Sequence, residues 1–227
     1  MEKLLAAGDA KALKLHDAVD AMLGRAEREG LIRPQVLYRF YPANSDGNEL
    51  ILFDPNGSGV EVMRFDFPRQ SGGERLCVAD FVRPLSSGQR DNVALFVVSC
   101  GRGIREKAEA MKFAGDYLDS HLLQALALES AEATAEFLHK RIRTSWGIVD
   151  DPALTMKQIF NAEYHGIRVS FGYPACPELT DQTKLFQLLK PEQIGVQLTE
   201  GDMMDPEASV SALVFHHPQG RYFDVAR

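Results

Sequence analysis

A chain of 227 residues can bury a sizeable core, but its formal charge of −7 has the wrong sign for a nucleic-acid partner, whose phosphates call for a basic surface. Apolar residues at 45% and charged residues at 25% suit a globular protein in water, and no run approaches the ~18–20 apolar residues of a membrane span. Cys77, Cys100 and Cys176 are odd in number and far apart, which fits reduced thiols; without a CxxC pair no structural zinc site is expected, and the charged start of the chain does not read as a signal peptide. A soluble, cytoplasmic protein without metal is the expectation.

In chain order, Asp9 is placed to cap a helix running to about Glu29, with Leu15, Val19, Met22, Leu23 and Ala26 on one face and Gly30 to end it. Val36 to Tyr41, Glu49 to Phe53 and Val60 to Phe65 read as short strands separated by Asn/Asp/Gly/Pro turns. Leu76 to Val82 and Asn92 to Ser99 read as two more, the second apolar enough for the middle of a sheet. Arg102 to Arg143 is helical, broken near Gly115-Asp116, and Met156 to Glu163 and Asp181 to Leu189 are shorter helices. Strand character returns at Val196 to Thr199, Ser209 to His216 and Tyr222 to Val225.

Strands, then helices, then strands again predict an α+β fold: a largely antiparallel twisted sheet with flanking helices in a single domain. Residues 1–33 form an N-terminal helical region beside a core of 34–227.

Between the last helices lies His165-Gly166-Ile167-Arg168-Val169-Ser170-Phe171-Gly172-Tyr173-Pro174-Ala175-Cys176-Pro177. Pro174 and Pro177 remove backbone donors while Gly166 and Gly172 permit bends, so the stretch reads as a fixed irregular loop rather than a regular strand. Outward-turned amides and carbonyls beside one arginine suit a small ligand with both carboxylate and cationic groups.

Arg168-x-x-x-Gly172-Tyr173 followed by Pro174-Ala175-Cys176-Pro177 resembles the S-adenosylmethionine-binding loop of the activation domain of cobalamin-dependent methionine synthase. Further matching blocks follow the family's order: Tyr41-Pro42-Ala43-Asn44, Ala79-Asp80-Phe81-Val82, Ala135-Glu136-Phe137-Leu138-His139, Leu198-Thr199-Glu200, Ala208-Ser209-Val210-Ser211, and Phe215-x-His217-Pro218 with Tyr222-Phe223. Together they cover roughly residues 36 to 225.

The resemblance implies the site residues. A guanidinium fork at Arg168 can take the α-carboxylate of S-adenosylmethionine bidentately, where lysine offers a point charge. Ser170, Gly172 and Tyr173 offer backbone polar groups to the ligand, and Tyr222 and Phe223 line the site from a closing strand, facing opposite sides. Many relatives carry two tyrosines there, so Phe223 gives up one hydroxyl. Glu132 is the catalytic candidate, in a hydrogen-bond relay toward the corrin; one turn earlier many relatives have an acid where this chain has Leu128. An Asp-Trp-x-Pro-Phe-Phe segment that supplies an acidic contact in many relatives has no counterpart between Met1 and Pro34, and the family's C-terminal helical tail is missing as well.

Other patterns carry less. Glu132, Glu136, His139 and Arg143 share one helical face, but Glu136-x-x-His139 alone is half of a carboxylate di-iron pattern, and a salt-bridged face is the simpler reading. Gly101-Arg102-Gly103 reads as a strand-to-helix turn, since Glu106 stands where a dinucleotide fingerprint needs glycine. His216-His217 point apart on a strand, and Cys176 lacks a base to activate it.

The resemblance therefore implies a reactivation role: binding S-adenosylmethionine and supporting reductive methylation of cob(II)alamin to methylcobalamin. The cobalamin would be held by a partner cobalamin-binding domain of the synthase and the electron supplied by a flavodoxin-like donor. The chain is expected to act as a domain of a methyltransferase and not to make methionine alone, having neither zinc ligands nor room for barrels of about 250 residues. A non-catalytic S-adenosylmethionine-binding module, a free-standing reactivation partner of another corrinoid protein, and a purely structural cap are the alternatives.

Overall fold

A computed structural model describes residues 2–226. It opens with the short helix α1 (Glu2–Ala6) and the long helix α2 (Ala10–Glu29). Asp9 caps α2, its Oδ1 accepting from the Lys11 and Ala12 amides at 3.1 and 2.9 Å, and Gly30 ends it at φ 59°. Of the face expected from the sequence, Met22 and Ala26 are buried with Ala12, whereas Leu15 and Leu23 are exposed. The helix meets one helical neighbour pair along a narrow stripe, so a broad apolar face finds nothing to cover it.

The strands β1 (Gln35–Asp46), β2 (Glu49–Phe53), β3 (Glu61–Asp66) and β4 (Asp91–Ser99) come next. β1 continues through Pro42 because pairing with β2 starts only at Ala43↔Leu52, so no ladder bond is demanded of the missing N–H on that side. Helices α3 (Ile104–Phe113) and α4 (Tyr117–Ser145) follow, divided at Gly115-Asp116 as the sequence predicts. The chain closes through α5 (Met156–Phe160), β5 (Ile167–Val169), α6 (Gln182–Leu189), the two-residue strands β6 (Gln197–Leu198) and β7 (Met204–Asp205), and β8 (Ser209–Phe215).

Six strands form one sheet in the order β3-β2-β1-β4-β8-β5, every neighbouring pair antiparallel, while β6 and β7 make a separate ribbon. Period-two alternation gives the sheet two apolar faces. On one, Val93, Leu95, Val97, Leu213 and Phe215 meet Leu185, Phe186 and Leu189 of α6. On the other, Ala94, Phe96, Val98, Ala212 and Val214 meet Ala131, Ala135, Leu138 and Ile142 of α4. Alanines at four-residue steps (Ala127, Ala131, Ala135) leave α4 without bulk along its contact stripe, so its backbone lies close to the sheet. Covering a large apolar side chain such as Phe96 this way stabilises the fold by about 1.5–3 kcal/mol. A third cluster, Met22, Ala26, Ile104, Met111, Leu123 and Ala127, fastens α2 to α3 and α4.

Three local expectations fail. Leu76 to Val82 is not a strand: Val78–Phe81 is a 3₁₀ turn, because the Asp80 carboxylate accepts from the Cys77 amide at 2.8 Å and is gripped by both Nη atoms of Arg69 at 2.7 Å. Tyr222 to Val225 pairs with no strand, so alternation cannot set where Tyr222 and Phe223 point. Conversely, Ile167–Val169 inside the supposed irregular loop is a true edge strand, paired to β8 as Ile167↔Phe215, Arg168↔Val214 and Val169↔Leu213. No helix among the described residues is long and apolar enough to cross a membrane.

Candidate ligand site at the sheet edge

The short strand β5 sorts its side chains between the two layers. Ile167 and Val169 are buried on the α6 side, so Arg168 faces α4. There its Nη2 donates to Glu136 Oε1 at 2.9 Å and Glu132 Oε2 at 3.2 Å, two acids one helical turn apart. Burial works against the guanidinium charge, but the carboxylates of Glu136 and Glu132 outweigh it and hold its pKa above the ordinary arginine value. Gly166 lets the chain enter β5 tightly: its φ is 88°, and a Cβ there would stand 2.8 Å from the Phe215 carbonyl oxygen.

After β5 the chain makes a compact turn. The Gly172 amide donates to the Cys176 carbonyl at 3.0 Å, the Cys176 amide to the Tyr173 carbonyl at 2.9 Å, and the Cys176 thiol to the Ser170 carbonyl at 2.9 Å. Burial, then the nearby Asp181 charge, push that thiol up to about 12, so it is a buried structural donor and not a nucleophile. The last residues dock on this turn. Val225 donates its amide to the Pro174 carbonyl at 3.1 Å, Gln70 Nε2 donates to the Asp224 carbonyl at 2.8 Å, and Phe223 packs edge-on against Phe81.

Between α4, β5, the turn and this terminal segment lies a cavity of about 340 Å³, within the size range of small-molecule sites. Glu132, Arg168 and Ser170 give it polar walls, and Tyr173, Tyr222 and Phe223 give it aromatic ones. Tyr173 and Tyr222 stay 60% and 52% exposed, which leaves ring surface for a ligand to cover. Val169, Pro174, Ala175 and Val210 complete the lining.

Of the residues expected from the sequence, all but one therefore meet at one cavity. The exception is Gly172, which is not in the lining; its amide is engaged inside the turn, and its φ of 82° makes it the bend that presents Tyr173. Glu132 lines the cavity and pairs with Arg168 at 3.2 Å. Sequence reasoning missed Glu136 as Arg168's nearer partner and Tyr164, whose hydroxyl donates to Glu136 Oε2 at 3.5 Å. The four-residue spacing of the acids on α4 held the signal for the first; the second had none, because Tyr164 reaches the site from a coil.

A family model described as the activation domain of vitamin B12-dependent methionine synthase matches residues 5–227. The chain belongs to this family. Methionine synthase of Mycobacterium tuberculosis is 35% identical over 215 residues, and that of Mycobacterium leprae 35% over 202. These alignments cover 89% and 84% of the chain but 18% and 17% of the relatives, so the chain spans less than a fifth of the synthases it matches. A crystal structure of the MetH reactivation domain bound to AdoHcy superposes with a TM-score of 0.87 at 31% identity, over 96% of this chain and 69% of that one. The activation-domain fold thus extends to this chain, antiparallel sheet and flanking helices included.

Proposed function

We propose that the chain binds S-adenosylmethionine as the reactivation domain of a cobalamin-dependent methionine synthase. The observation that carries this reading is Arg168, brought by β5 to the wall of a cavity whose other walls are an irregular loop and two half-exposed tyrosines. Arg168 takes the α-carboxylate through Nη1 while Nη2 stays on the acids. Tyr173, Tyr222 and Phe223 cover the nucleoside, and Ser170 adds a polar contact. One guanidinium beside two carboxylates leaves a net negative wall, which suits a ligand carrying an ammonium and a sulfonium charge.

Cobalamin, held by a partner domain of the synthase, supplies the cobalt that accepts the methyl group. This chain's own residues bind the donor, orient it through Arg168 and leave one side open to that partner, so its contribution is positioning. A flavodoxin-like protein as electron source and a cytoplasmic setting complete the reading.

Isothermal titration of the purified chain with S-adenosylmethionine and S-adenosylhomocysteine, with adenosine as control, tests it. Saturable binding of both, and far weaker binding of adenosine for want of a carboxylate, is expected. Absence of heat with either full ligand at millimolar concentration would overturn the assignment.

A further inference from the structure

The two acids that share Arg168 are not equivalent. Glu136 is the nearer, its Oε1 accepting from Nη2 at 2.9 Å while its other oxygen accepts from the Tyr164 hydroxyl at 3.5 Å. It takes no part in the cavity lining. Glu132 accepts from the same Nη2 at 3.2 Å and has no second hydrogen-bond donor among the described residues. Its side chain is 50% exposed, and it does line the cavity.

One guanidinium neutralises one carboxylate. With Arg168 engaged by the nearer Glu136, Glu132 is left as a surplus negative charge, and apart from Arg168 no other charged residue is among the described lining. A ligand that covers this wall strips water from that charge, which is costly unless the ligand supplies a cation. S-adenosylmethionine does so. Its carboxylate and ammonium cancel each other, and the sulfonium remains to offset Glu132. S-adenosylhomocysteine has a neutral thioether at the same atom and leaves the surplus unmatched.

We propose that Glu132 is a specificity-determining residue of this cavity: its surplus carboxylate distinguishes the sulfonium of the methyl donor from the thioether of the demethylated product. This rests on the cavity being an S-adenosylmethionine site. When the methyl group leaves, the sulfur keeps the electron pair of the broken C–S bond and becomes neutral. The charge match is then lost, so the product is held less tightly than the donor that it replaces. Selectivity of this kind is a difference between two affinities, and Coulomb attraction inside a partly closed cavity supplies it without a hydrogen bond to sulfur.

The test is isothermal titration of the parent, Glu132→Gln and Glu132→Asp with S-adenosylmethionine and S-adenosylhomocysteine. Sinefungin, in which a protonated amine replaces the sulfonium methyl, serves as a third ligand that keeps the charge and lacks the sulfur. The reading is the ratio of dissociation constants within each protein, which loss of part of a sample to misfolding does not change. The parent should prefer S-adenosylmethionine and sinefungin over S-adenosylhomocysteine by roughly three- to ten-fold. Added salt should shrink that preference. Glu132→Gln should bring the ratio close to one, and Glu132→Asp, which restores the charge, should recover most of it. A parent without the preference, or a Glu132→Gln variant that keeps it in full, overturns the proposal. Failure of the parent to bind any of the three ligands instead overturns the S-adenosylmethionine reading itself.

Discussion

Arg168 on β5 and Glu136 on α4 meet at 2.9 Å across the seam between the sheet and its covering helix, the guanidinium side chain 14% exposed and the carboxylate side chain 42% exposed. The pair ties an edge strand of three residues, itself weakly held, to the longest helix of the protein. It also fixes how the arginine presents its remaining donors to the cavity. Arg168→Ala is expected to weaken S-adenosylmethionine binding by about 1.5–3 kcal/mol, the worth of hydrogen bonds to a charged group. Arg168→Lys should recover only part of this, since an ammonium lacks the planar fork. Calorimetry on folded variants decides it, and unchanged affinity in Arg168→Ala would remove the residue from the site.

Glu136→Gln keeps the shape of the partner and removes its charge. Arg168 then retains Glu132 alone at 3.2 Å as a charged partner. The expected outcome is weaker ligand binding by about 1 kcal/mol, smaller than for loss of the arginine. Combined with Arg168→Ala, the Glu136 change should have little further effect on affinity, because its influence passes through the guanidinium. Full additivity would give Glu136 a ligand contact of its own.

The central sheet, the helix break at Gly115-Asp116 and the position of Arg168 were readable from the sequence because each rests on a local pattern: alternation, a breaker pair, or a dense motif. What escaped depends on tertiary partners. Leu76 to Val82 is an apolar run interrupted only by Asp80, which periodicity cannot assign, and Asp80 with Arg69 turns it into a 3₁₀ helix. Ile167–Val169 looks too short and too near glycine to be a strand, yet β8 offers an open edge that it completes. Tyr222 and Phe223 reach the cavity without any strand, held through Pro174 and Gln70, residues 51 and 154 positions before their bonding partners Val225 and Asp224. No window of sequence contains such pairs.

Gly166→Ala tests the entry to β5. Its φ of 88° strains any side-chain-bearing residue, and the new Cβ would approach the Phe215 carbonyl oxygen to 2.8 Å and Arg143 Cδ to 3.2 Å. Gly57 shares the strain at φ 87° but has open space around it. Gly57→Ala should cost about 1 kcal/mol, and Gly166→Ala clearly more, because backbone must shift. Urea unfolding of the two variants separates strain from collision; equal losses would show that the close approach at Gly166 relaxes freely.

Two histidines should give the stability of the protein opposite dependences on pH. His139 is fully buried between Arg143, Arg168 and Tyr164, with neither ring nitrogen hydrogen-bonded, and burial, then the two guanidinium charges, push it down to about 2. The unfolded chain takes up a proton near pH 6.5 that the folded chain refuses, so this residue makes stability fall as the pH drops below about 6.5. His216 behaves in reverse. Its Nε2 lies 2.7 Å from Asp91 Oδ1, and that hydrogen bond raises its pKa above 6.5 despite burial. Its contribution is complete below pH 6.5 and is lost as pH climbs through the raised folded value. Asp91 adds an acid-side term of its own. Burial opposes its charge, but His216 and the amides of Arg83 and Asn92 hold its pKa below 3.8, so its contribution is lost only as pH falls below that. His139→Leu should therefore flatten the decline between pH 6.5 and 4, where Asp91 remains charged. His216→Gln should be destabilised at pH 6 and approach the parent as the pH rises past the folded value of His216. Urea midpoints measured across pH 4–9 read both effects; a His139→Leu variant that declines in acid as steeply as the parent would mean that the imidazole finds a proton and a partner inside the fold.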